Sequence, residues 1–228
     1  MTAVPARGPV ASSIRPTLAD AADVFLAGTE AVRAAVASDL VGAAWDEPSV
    51  LEDQRVGGLA GHLARGGAWI VGEYLDLGPP TEPVAFEDAG DYFARLVQQL
   101  DAAGHQAIRD RGVALAAPGQ AALVAELEAR LDGIAARLAA LDEDATMSAY
   151  AGLAMRVRDY LVTRIVEQVV HLDDLARSVG GTGWDVPRAG VDLAMAVAVD
   201  VARRRQGDPA VVRALYRDGA AAGVFPAL

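Results

Sequence analysis

No cysteine occurs among the 228 residues, which excludes disulfides, iron-sulfur clusters and a cysteine nucleophile. Any thiol chemistry must therefore draw its sulfur from another molecule. Lysine and asparagine are also missing, so all 20 basic residues are arginine. Both absent residues have A-rich codons, and their joint loss reads as the bias of a high-GC genome. Long apolar runs are lacking too. The longest, Val191–Ala202, is interrupted by Asp192 and Asp200 and is too short to cross a bilayer. Met1–Ile14 has small residues and proline but no apolar h-region, so a signal peptide is not expected and the expected location is cytoplasmic.

Positive charge is the scarcer sign. The 20 basic residues face 31 acidic ones, and a net charge of −11 repels phosphate backbones unless the cations segregate. The one basic cluster, Arg203–Arg205, falls near the end of a predicted helix, where cations complement the helix dipole. Neither nucleic acid nor membrane is an expected partner. What the chain does have is 53% hydrophobic residues, enough to bury a core in one domain.

The apolar spacing predicts helices over Thr17–Val41, Asp53–Leu77, Asp88–Arg111, Gln120–Leu141 and Val157–Val179. Gly112 and the Pro118-Gly119 pair are read as the stop of the third. A further helix follows Pro187 to Arg205, then a short one to about Arg217, while Asp142–Met155 reads as a loop with an extended segment. No period-2 pattern extends far enough to argue for a sheet. The expectation is an all-α fold, an antiparallel bundle over 14–182 with additional C-terminal helices over 183–228 as a short appendage rather than a separate domain.

Only three histidines are present, His62, His105 and His171. Glu167 lies four residues before His171, so the two side chains share a helix face and can reach one ion. The apolar neighbours Val166, Val169, Val170 and Leu172 make an unpartnered Glu and His costly, and a shared ion would partner both. A plain Glu-His hydrogen bond or an exposed face would account for the spacing as well. His62 sits among glycines and alanines that let another helix approach, with Arg65 and Trp69 at i+3 and i+7 on its face. One His from one helix and a Glu-His pair from another give the three-ligand pattern of an open zinc site. Arg65 and Arg164 are candidates to hold a substrate anion, and Asp174 a candidate to orient His171, although surface pairing would explain each. His105 is given no role.

Val56-Gly-Gly-Leu-Ala-Gly-His-Leu-Ala-Arg65, followed by Asp159-Tyr-Leu-Val-Thr-Arg-Ile-Val-Glu-Gln-Val-Val-His-Leu-Asp-Asp-Leu-Ala176, resembles the mycothiol-dependent maleylpyruvate isomerase family of the DinB-like superfamily. The resemblance implies a DinB-like four-helix bundle whose divalent metal is held by residues matching His62, Glu167 and His171. It also implies a transferase or isomerase in which a low-molecular-weight thiol, mycothiol, attacks a small electrophile. Full-length isomerases of the family carry a second domain after the bundle, whereas Pro187–Leu228 has room for two helices. Three functions share the same ligands: the thiol-using enzyme, a hydrolase activating water, and a non-catalytic metal-binding module. A homodimer is compatible with the sequence.

Overall fold

The computed structural model describes residues 15–96 and 101–226. Thr17 caps α1 (Leu18–Val36), its hydroxyl accepting from the Asp20 amide at 3.1 Å. Leu18, Ala22, Phe25, Val32 and Val36, three and four residues apart, form its buried stripe. The helix predicted to reach Val41 stops short because Ser38 accepts from the Val41 amide at 3.2 Å and begins α2 (Asp39–Ala43).

The predicted second helix is present as a rod of three pieces: α3 (Val56–Ala64), a π turn (Arg65–Trp69) and α4 (Ile70–Asp76). The predicted third is divided. Asp88 caps α5 (Ala89–Arg95), and Asp101 caps α6 (Ala102–Ala116), while 97–100 lie outside the described residues. Gly112 does not stop α6. A Cβ there would lie 2.8 Å from the Gly58 carbonyl and 2.9 Å from the His62 nitrogen, so the missing side chain lets α6 lie against α3.

The predicted fourth helix is also two, α7 (Gln120–Leu131) and α8 (Ile134–Ala139), because Gly133 takes a left-handed φ of 71° between them. Within the expected loop, β1 (Thr146–Ser148) pairs antiparallel with β2 (Ala154–Arg156), setting Met147 opposite Met155. Each strand has three residues, too few for alternation to register in a sequence. Then come α9 (Val157–Ser178), α10 (Arg188–Gln206) and α11 (Asp208–Tyr216).

The architecture is an all-α bundle of the DinB-like class with further helices at its C-terminal end. α9 packs along α1 and the α3 rod, and α10 lies on α9 and α5. Buried side chains form two clusters that meet across α9. One includes Phe25, Tyr160 and Val166 and takes in Val197, Val201 and Val211 from the C-terminal helices; the other includes Leu59, Trp69, Leu172 and Leu175. Between Val166 and Leu172, polar side chains interrupt the apolar packing. Gln168 Nε2 there donates to Gly67 O at 2.7 Å, Thr29 Oγ1 at 3.1 Å and Phe25 O at 3.2 Å, so the buried amide is satisfied. A fully buried Asp88, held by Arg204 at 3.0 Å and Arg15 at 2.9 Å, ties α10 to the start of α5.

Candidate metal centre

His62 from α3 and the Glu167-His171 pair from α9 meet where the two apolar clusters join. His62 Nε2 and His171 Nε2 lie 3.4 and 3.5 Å from one oxygen, Glu167 Oε2. The imidazoles stand edge to face, with centroids 4.7 Å apart at 87°. One donor atom from each residue falls within 4.8 Å of the other two. Tetrahedral zinc with bonds of about 2.0–2.1 Å separates its ligands by about 3.4 Å, so the donor chemistry and spacing fit such an ion.

The π turn is what fastens these helices. Arg164 Nη1 donates to Gly66 O at 2.9 Å, and Gln168 donates to the next carbonyl, Gly67 O. Arg164 and Gln168 bracket Glu167 in sequence, so the carboxylate is pinned beside His62 on both sides. The turn also corrects the expectation for Trp69. An α-helix would put Trp69 on the His62 face, but the extra residue of a π turn advances the register. Ile70 lines the cavity beside His62, whereas Trp69 is 2% exposed in the core and donates to Glu73 at 3.2 Å.

Electrostatics in the triad are tightly shared. Burial pushes the Glu167 carboxyl up, but hydrogen bonds from His171 and His62 and the Arg164 charge outweigh it and hold the group well below its usual range. For His171 burial favours the neutral ring, yet Asp174 Oδ2, 3.0 Å from Nδ1, and Glu167 raise it to about 9. An ion binding at Nε2 must displace that proton.

The triad opens onto a cavity of about 570 Å³. Arg65 and Arg164 both line it, but they differ. Arg65 is paired with Glu73 at 2.7 Å, whereas none of the ion pairs of the described residues includes Arg164. Asp174 stands behind His171 and not in the cavity wall. His105, given no role from the sequence, lines the cavity from α6 together with Arg109 and Arg111. Tyr74, Tyr92 and Tyr160 were also not singled out. Tyr160 shares the α9 face of Arg164, Glu167 and His171 at spacings of four, three and four, a signal present in the sequence, while nothing local marks Tyr92.

A helical bundle that gathers two imidazoles and a carboxylate at a cavity wall defines a DinB-like protein with a candidate metal centre. Residues 25–176 match the mycothiol maleylpyruvate isomerase N-terminal domain, and the chain belongs to that family. The match contains His62, Glu167 and His171 and ends before α10. A comparison with curated proteins found no match, and neither did one with solved structures. No helix of the described residues is long and apolar enough to cross a membrane.

Proposed function

We propose that the protein is a metal-dependent transferase or isomerase that uses mycothiol against a small electrophile in the cytoplasm. The observation that carries this reading is a three-donor cluster facing a cavity in a chain that has no cysteine of its own. His62, Glu167 and His171 hold a divalent ion, zinc, and Asp174 fixes the His171 tautomer by accepting from Nδ1. Three protein ligands leave a coordination position for a ligand from solution. A zinc ion in such a site lowers the pKa of a thiol that reaches it and polarises the sulfur for attack at neutral pH.

The remaining roles belong to side chains of the cavity. Arg164, buried and with no carboxylate at salt-bridge distance, receives the anionic group of the electrophile; Arg65, engaged by Glu73, is the weaker candidate. Residues 14–182 form the metal-binding unit in this reading, with 183–228 as an appendage that shares its core. A transferase releases the sulfur adduct, whereas an isomerase expels the thiol again after the bond geometry has changed.

Cobalt-substituted protein tests the reading. Mycothiol should add a sulfur-to-metal charge-transfer band, and the band should require His62, Glu167 and His171 together. Bound cobalt without such a band at saturating mycothiol would replace the thiol reading with a hydrolase or a non-catalytic module.

A further inference from the structure

The cavity has two chemically different ends. α9 runs antiparallel to the rod of α3 and α4, as contacts from Ser178 to Val50, Glu167 to His62 and Tyr160 to Tyr74 show. Beyond Glu167, toward the start of α9, the lining is Arg164, Tyr160, Tyr74 and Tyr92. Arg164 is 7% exposed. Its Nε donates to Thr163 Oγ1 at 3.1 Å and its Nη1 to Gly66 O, and the guanidinium lies 4.9 Å over the Tyr160 ring. Nη2 has no protein acceptor among the described residues.

The phenols are in the same condition. Tyr160 and Tyr92 are 1% and 6% exposed, and the Tyr74 ring lies 5.5 Å from that of Tyr160. No hydrogen bond among the described residues engages any of the three hydroxyls. These four donor groups open into the cavity rather than being sealed in the core, since none is among the buried side-chain atoms that lack a partner. An oxyanion in that end of the cavity would meet the Arg164 charge and the phenol donors together.

We propose that Arg164 Nη2 and the hydroxyls of Tyr74, Tyr92 and Tyr160 form an oxyanion subsite that holds a carboxylate of the electrophile, on the opposite side of Glu167 from His171. A buried guanidinium with neutral phenol donors suits a planar carboxylate, to which its fork can donate in parallel. Burial, partly offset by Arg164, pushes the Tyr92 hydroxyl up to about 12, so it stays a donor at neutral pH. The assignment rests on the proposed function only in calling the bound acid the electrophile; the anion site stands without the thiol.

Calorimetric titration of the zinc-loaded protein with crotonate, a small planar carboxylate, tests it without any thiol present. Crotonate should bind at least tenfold more tightly than crotonamide. Tyr160→Phe and Tyr92→Phe, which keep the packed rings, should each weaken it by about three- to tenfold. The chelated protein should bind crotonate with the same dependence on the two hydroxyls. Failure of crotonate to bind, indifference to both phenylalanine variants, or loss of binding in the chelated protein, which would put the carboxylate on the ion, each overturns the subsite. None of those outcomes touches the cobalt-thiol result, and absence of the cobalt band leaves the crotonate result standing.

Discussion

Asp174 Oδ2 lies 3.0 Å from His171 Nδ1, while the Nε2 of the same ring faces Glu167 at 3.5 Å. Two carboxylates thus share one imidazolium in the metal-free protein, and His171 titrates at about 9. That value is raised above the ordinary 6.5, so the shared proton stabilises the metal-free fold below about pH 6.5, and this contribution is lost as pH rises through 9. Zinc bound at Nε2 would compete with the same proton. Its affinity should rise about tenfold per pH unit up to about 9 and level off above, as read by competition with a chromophoric chelator. A flat profile between pH 6 and 8 would sink the shared-proton account.

If the three donors hold an ion, removing one leaves too few to retain it. His62→Ala and His171→Ala should each lose most of the roughly one zinc per chain expected from the three-donor cluster, measured by metal analysis after gel filtration. Asp174→Asn should keep the ion but bind it about 10- to 100-fold more weakly, since a neutral amide replaces the charged acceptor behind the ring. Chelation should leave the helical circular dichroism largely intact, because both apolar clusters are extensive and neither includes any of the three donors. Full occupancy in both alanine variants would end the metal assignment.

Asp88 is fully buried, caps α5, and depends on Arg204 and Arg15 for its charge. Arg204→Ala should cost about 3 kcal/mol, because it strands a buried carboxylate and loosens α10 from α5. Urea denaturation measures it. A loss under about 0.5 kcal/mol would mean that Arg15 alone suffices.

Asp159, buried at the start of α9, has no hydrogen bond to either oxygen, and its nearest cations, on Arg156 and Arg158, are 3.8 and 3.9 Å away. Burial, only partly offset by those arginines, pushes its carboxyl up to about 6. The folded state therefore holds this proton more tightly than the unfolded chain, whose aspartate titrates near about 3.9. The group favours folding below that pH and loses this contribution as pH rises through 6. Asp159→Asn should stabilise the protein at pH 7.5 by about 1–2 kcal/mol, even with the helix dipole favouring the charge, and change little at pH 4. Equal destabilisation at both pH values would refute this.

The clustering of the three donors was legible because Glu167 and His171 sit in one uninterrupted 22-residue helix, where spacing translates directly into a shared face. The same rule failed one residue later in the other helix. Trp69 was placed on the His62 face by α-helical arithmetic, and nothing in Arg65-Gly-Gly-Ala-Trp69 announces a π turn. Breaks at Ser38 and Gly133 were hidden for a related reason, since apolar spacing continues across both. Gly112 was read as a helix stop when its lack of volume is what matters. Which arginine is held in a salt bridge depended on Glu73, which takes Arg65 and not Arg164.

The contact between α6 and α3 also acts as a gauge. A Cβ at Gly112 would come within 3.0 Å of the His62 Cβ, so the position of one imidazole is limited by a hydrogen atom on a helix that supplies no donor. Donor separations scale with bond length, and preferred bond lengths differ between ions by only a few tenths of an ångström. If the three donors hold an ion, its choice is thus exposed to drift at a wall residue with no coordinating chemistry, and a single methyl group at 112 would be enough to re-size the site.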